Sequence, residues 1–165
     1  MKRLMSFLLI LACLLCGCGG QKTENMANFY YVHDSYIYGQ EDGVISAEVR
    51  LIGEFTNEQE ILQAYLAGPN DVLLASPFPS GTQIVEFLYK GETLHITLSA
   101  HIVTLSRAKQ VLACACFART AMELTRVKAV YFQTDDTDFA RMEPILIDLD
   151  SVLLYDSYNT PAPNE

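Results

Sequence analysis

TQIVEFLYKGETLHITLS, residues 82–99, contains two strand-like runs, Thr82–Tyr89 and Thr93–Leu98, joined by Lys90-Gly91-Glu92. A short gap with a central glycine between two such runs is a hairpin signal, because glycine takes the positive φ that a tight reversal needs. In the second run Leu94, Ile96 and Leu98 fall on one face and His95 on the other. Alternation of period two gives this hairpin a dry side and a wet side. The dry side needs other elements packed on it, and both flanks supply them.

Upstream, Pro77-Phe-Pro-Ser-Gly81 reads as a stiff loop. Before it, Thr56-Asn-Glu-Gln59 has the pattern of a capping box and starts a helix. Ile61, Leu62, Tyr65 and Leu66 give that helix one apolar stripe. Gly68 suits its left-handed end, and Pro69 prevents its continuation. Val44 to Ile52 alternates, with Ile45, Ala47, Val49 and Leu51 on one face and Ser46, Glu48 and Arg50 on the other. Asn28 to Val32 reads as the first strand. Downstream, a helix is expected from about Ser106 to Leu124. Lys109, Arg119, Glu123 and Arg126 mark its wet side, and Val111, Cys114, Phe117, Ala121 and Leu124 its dry side. Val127 to Gln133 is a strand, Asp135 to Asp138 breaks it, and Ile145 to Leu154 adds an edge strand or short ribbon. The order β-β-α-β-β-α-β predicts an α+β fold, a small mixed β-sheet with two helices packed on one face.

The N-terminus sets the compartment. Lys2 and Arg3 precede an apolar run of 12 residues, Leu4 to Leu15. A spanning helix needs about 20 residues, so this run reads as the core of a secretion signal. Leu15-Cys16-Gly17-Cys18 resembles the bacterial lipobox, with Cys16 standing where the pattern usually has another small residue. A thiolate is the nucleophile that accepts a diacylglyceryl group. Cys18 is therefore the expected lipidation site, and Cys13 and Cys16 leave with the signal peptide. The expected organisation is a signal peptide at 1–17, a tether at 18–28, a folded domain at 29–155 and a disordered tail at 156–165. Two acyl chains anchor firmly where one is marginal.

Composition agrees with one folded domain. The chain has 165 residues, half of them hydrophobic, with 9 Tyr, 8 Phe and no Trp. From Cys18 onward, 9 basic residues face 20 acidic ones. Such a surface repels nucleic acid and anionic headgroups, so membrane attachment falls to the lipid.

The folded segments resemble the GerMN domain of Gram-positive spore-germination and sporulation lipoproteins, from about Phe29 to Phe132. Leu66-Ala-Gly-Pro69, Ser76-Pro-Phe-Pro-Ser-Gly-Thr82, Ile96-Thr-Leu-Ser99 and Val127-Lys-Ala-Val130 carry the likeness. Thr97 stands where the family often has aspartate, Thr125-Arg126 replaces a common Pro-Gly turn, and the chain beyond Asp135 has no obvious counterpart. The resemblance implies a fold similar to ring-building motifs, no enzyme activity and no agreed ligand site.

Other residue groups that invite chemistry have plainer readings. On a helix, Cys114 and Cys116 point to nearly opposite sides and cannot chelate or bridge together. Cys114 reads as core and Cys116 as flank. His33, His95 and His101 lack zinc-ligand spacing. Asp135, Asp136 and Asp138 lack the glycine and glutamate of a calcium loop. Ser99 and Ser106 lack a nucleophile elbow. No cofactor is implied. Tyr30, Tyr31, Tyr36 and Tyr38 crowd the first strand, and tyrosine is enriched in interfaces.

The resulting expectation is a lipid-anchored, non-catalytic interaction module on the outer face of the cytoplasmic membrane. It would act in sporulation or germination with an envelope protein partner or as an oligomer, with no nucleic acid. The first strand near Tyr30 and the ribbon at Ile145–Leu154 are the candidate pairing edges. A solute- or envelope-ligand-binding lipoprotein is the alternative, and a hydrolase the third. A deep pocket with converging polar groups would favour either of these.

Overall fold

The computed structural model describes residues 25–33, 45–135 and 141–151. The hairpin forms as its sequence requires. Strand β4 (Ile84–Lys90) pairs antiparallel with β5 (Thr93–Leu98), with Lys90 opposite Thr93. Gly91 takes the positive φ of the reversal, 62°. β5 then pairs in parallel with β6 (Ala129–Thr134), which pairs antiparallel with β7 (Ile145–Asp148). The four-stranded sheet runs β4-β5-β6-β7. A parallel neighbour needs a long crossover. Here it is a 3-10 turn at Ala100–Thr104 followed by helix α2, Arg107–Thr125.

The α+β expectation holds, and the described strands divide into two sheets. β1 (Met26–His33) pairs with β2 (Ile45–Leu51) along its length and with the short β3 (Leu74–Ala75) at one end, giving the order β2-β1-β3. β1 begins at Met26, earlier than the expected Asn28.

Helix α1 spans Glu58–Tyr65. Its cap is Asn57, one residue later than the sequence pattern suggests. The Asn57 side chain accepts from Glu60 N–H at 2.9 Å, and the Glu60 carboxylate accepts from Thr56 N–H and Oγ1–H. The capping exchange is split over two residues: Asn57 caps the helix, and Glu60 reaches back past it to Thr56. Those bonds hold the Glu60 carboxyl below its ordinary range. Gly68 has φ of 100° just past the helix, as expected.

α2 lies between the sheets rather than on one of them. Cys114, Phe117, Ala118 and Ala121 join the main core with Leu94, Ile96, Val130 and Phe132. Ala115 and Cys116 pack on Val32 and Ile45 in a second cluster. Cys116 is thus fully buried, not a flank residue, because the first sheet covers the face that a one-sided helix would leave wet. Tyr65 is the hub of the main core. It stacks on Tyr31 at 4.7 Å between centroids and meets Phe117 edge-on at 5.4 Å.

Candidate functional site

The alternation in β2 is present, but it is inverted. Ile45 is buried at one end, while Ala47, Val49 and Leu51 face solvent. Val49 is 61% exposed and Leu51 57%, and Met26 beside Leu51 on β1 is exposed as well. The charged residues turn inward instead. Arg50 Nη2 meets Glu48 Oε2 at 2.6 Å, and the side chains are only 15% and 12% exposed. The Arg50 guanidinium also lies 4.9 Å from the Phe29 ring centroid and 5.4 Å from that of Tyr31, and donates to Gly68 O at 2.7 Å. Aromatic faces and a carbonyl make the inner side hospitable to a cation, so it takes Arg50 and leaves the aliphatics outside.

β1 is not the open edge that its tyrosines suggested. It is the middle strand, and its far side near Tyr30 is sealed. Tyr30 N–H donates to Thr120 Oγ1 of α2 at 2.9 Å, and Tyr30 C=O accepts from Tyr65 O–H of α1 at 2.8 Å. These bonds also fix the ladder's phase. Because Tyr30 turns both backbone groups away from β2, Tyr30 and Ala47 are a non-hydrogen-bonded pair. The alternate residues Val49 and Leu51 share that phase, opposite Asn28 and Met26. Ala47, Val49 and Leu51 therefore aim their N–H and C=O groups outward from the edge of the sheet. Among the described residues, no strand pairs with that side of β2.

The larger concavity is a cleft of about 650 Å³ where Tyr30 of β1, Arg119 and Glu123 of α2, Lys128 before β6 and Asp148 of β7 come together. Several of its polar groups are already engaged. Glu123 accepts from Tyr30 O–H at 2.7 Å and from the Asn28 amide, and Arg119 covers the Tyr30 ring at 4.3 Å. Burial, then the Glu123 bond, push the Tyr30 hydroxyl above its ordinary pKa. Lys128 pairs with Glu92 at 2.7 Å. The Glu123 and Arg119 contacts tie β1 to α2, and the Lys128 pair ties the start of β6 to the hairpin turn. A smaller hollow of about 390 Å³ has Glu86, Thr97 and Gln133 on one wall, joined by Thr97 O–H to Glu86 and Gln133 N–H to Thr97.

The other sequence candidates lie apart. His33 ends β1, His95 is on the outward face of β5 against Tyr131, and His101 is in the 3-10 turn. Burial, then Lys90, lower the His95 pKa. Among the described residues, no group of three His, Cys, Asp or Glu could hold a metal. Ser99 Oγ lies 3.1 Å from His101 Nδ1, but it also accepts from Gln83 N–H at 3.0 Å, which ties the start of β4 to the end of β5. Cys114 and Cys116 are free thiols on different clusters. Burial raises both, Cys116 to about 12. Cys18, Tyr36, Tyr38, Asp136 and Asp138 lie outside the described residues. Sequence reading missed the exposed apolar edge. The signal was present as the Glu48–Arg50 alternation, but that pattern does not say which face is dry.

Among known families, the one described as Germane, sporulation and spore germination, matches residues 28–138, about two thirds of the chain. No curated protein matches. A crystal structure of a candidate lipoprotein from Clostridium perfringens is similar at 21% identity, covering 73% of this chain and 86% of that one with a TM-score of 0.41. So slight a likeness carries no argument. No described helix is long and apolar enough to cross a membrane.

Proposed function

We propose, from the premise that this chain belongs to the Germane family of sporulation and spore germination, that it is a lipid-anchored, non-catalytic interaction module at the outer face of the cytoplasmic membrane. One observation carries the interaction reading. An edge strand turns Ala47, Val49 and Leu51 to solvent with their backbone groups aimed outward, while its charges are kept inside. Folded proteins usually blunt such an edge with lysine, proline, a bulge or an inward-pointing charge; here the inward Glu48 and Arg50 neutralise each other, so the apolar strand with its outward backbone groups still offers a place where another chain adds a strand. Cys18 supplies the anchor in this reading. Confinement to a membrane raises the effective concentration of partners, so a modest contact suffices.

The cleft at Tyr30 and Glu123 is what favours the alternative, a ligand-binding lipoprotein. Its central Glu123 carboxylate and Tyr30 hydroxyl already answer each other, which leaves fewer converging groups to orient a solute.

Metabolic labelling with a fatty-acid analogue tests the anchor. Cys18→Ser abolishes the label and leaves unprocessed precursor, while Cys13→Ser and Cys16→Ser change neither. Label retained by the Cys18→Ser chain overturns the anchor. A Cys18→Ser chain that supports sporulation and germination fully at native abundance overturns the need for it.

A further inference from the structure

We infer that the partner at β2 is a second copy of this chain, joined edge to edge about a two-fold axis at Val49; this rests on the interaction reading above. The sequence of the strand, Ala47-Glu48-Val49-Arg50-Leu51, is self-complementary when run against itself. With Val49 opposite Val49 of the second copy, Ala47 meets Leu51 on the exposed face. On the inner face, Glu48 lies across from Arg50 and Arg50 from Glu48. Residues directly opposite in an antiparallel pair lie within reach of each other, and opposite charges there attract.

Charge also selects the register. The residues that aim backbone groups outward are Ala47, Val49 and Leu51, so the alternatives are slips that keep this phase. One slip puts the axis at Glu48 and sets Glu48 against its own copy. The opposite slip puts it at Arg50 and sets Arg50 against its own copy. Like charges directly opposed are destabilising. The Val49 register alone, among these three, sets every charge against its opposite. Each opposed pair in it, Val49 with Val49 and Ala47 with Leu51, can exchange N–H···O=C bonds. The product is a continuous sheet running through both copies, with a closed, isologous contact.

The test uses the full-length chain in membranes, treated with a copper–phenanthroline oxidant and run without reductant. In a hydrogen-bonded antiparallel pair the Cα atoms stand about 5.5 Å apart, within the roughly 4.4–6.8 Å that a disulfide spans. Val49→Cys should therefore give a covalent dimer, as should the Ala47→Cys/Leu51→Cys double variant. Ala47→Cys alone should give no covalent dimer, because its two copies would lie about 13 Å apart along the strands. A monomeric Val49→Cys chain, or equal cross-linking by Ala47→Cys alone, overturns the proposal. A Val49→Cys product joined to a different protein also overturns self-pairing and leaves the interaction reading standing. Loss of fatty-acid label concerns only the anchor.

A second measurement needs no new thiol. In detergent, light scattering should give a dimer for the unmodified chain and a monomer for Val49→Lys, with the thermal midpoint of the monomer little changed. An unmodified chain that is monomeric at all concentrations overturns the proposal.

Discussion

In β5, Leu94, Ile96 and Leu98 face the core, and His95 between them faces out. In β2, the aliphatics Ala47, Val49 and Leu51 face out, and Glu48 and Arg50 between them face in. Both strands alternate with the same period. Their opposite outcome comes from what is packed on each. β5 lies under the aliphatic and aromatic side chains of α2 and pairs on both edges. β2 pairs on one edge, and its inner side meets Phe29, Tyr31 and the end of α1, whose ring faces and Gly68 carbonyl suit a guanidinium. Period two says which residues share a face. Which face is dry depends on the neighbours.

The largest expected effect tests whether the first sheet depends on the aromatic hub beneath it. Tyr65 stacks with Tyr31, meets Phe78 and Phe117 edge-on, and donates its hydroxyl to Tyr30 C=O. Tyr65→Ala empties that centre and should cost about 3–5 kcal/mol in denaturant unfolding. Tyr65→Phe keeps the ring and removes only the hydroxyl, so it should cost about 1–2 kcal/mol. Equal losses for the two would mean that the bond to β1, rather than the packing, carries the contribution.

Next comes the inward charge. Removing Arg50 leaves Glu48 largely buried without its charged partner and takes from Gly68 C=O one of its two donors, the other being Tyr31 O–H. Breaking a buried pair from one side is costly, so Arg50→Ala should lose about 3 kcal/mol. The Lys128–Glu92 pair has a similar distance, 2.7 Å, but its side chains are 74% and 70% exposed. Lys128→Ala should therefore cost less than about 1 kcal/mol. If the two variants unfold at the same denaturant concentration, the account of the inverted face is wrong.

Much of the second sheet was legible. Leu94, Ile96 and Leu98 gave its dry face, Gly91 its reversal, and Val127–Gln133 a further strand, because each signal is local; the parallel pairing of that strand with β5 was not legible. The Ser106–Leu124 helix was legible in extent, and the structure runs it from Arg107 to Thr125. Its second buried face was not legible. Cys116 and Ala115 are dry only because β1 and β2 arrive from far along the chain. The same distance hid the sealing of β1, since Thr120 and Tyr65 are remote in sequence from the Tyr30 groups they satisfy. It also hid the candidate edge. A tyrosine cluster advertised β1, but a hydroxyl from each helix closes it and leaves β2 as the exposed apolar strand.

The smallest expected effect comes from the outward face of the four-stranded sheet. Leu88, His95, Tyr131 and Leu146 stand opposite one another across β4, β5, β6 and β7. This row is also partly apolar and also at the surface, so it is the natural rival to β2 as a contact. Its geometry differs in one respect. Leu146 is exposed, and its strand is one of the sheet's two outer ones, but Asp148 at the end of that strand carries a charge that faces solvent. Hydrogen bonds from Ser151 hold the Asp148 carboxyl below its ordinary range, so it remains charged through neutral pH. An outward charge is one of the devices that blunt an edge. Leu146→Lys should therefore shift stability by no more than about 0.5 kcal/mol and leave the mass of the full chain in detergent unchanged. Val49→Lys, made on a residue exposed to a similar degree, should leave stability as little altered yet halve that mass. If Leu146→Lys is the variant that dissociates the chain, the contact belongs to the second sheet, and the inversion in β2 is only a way of seating Arg50.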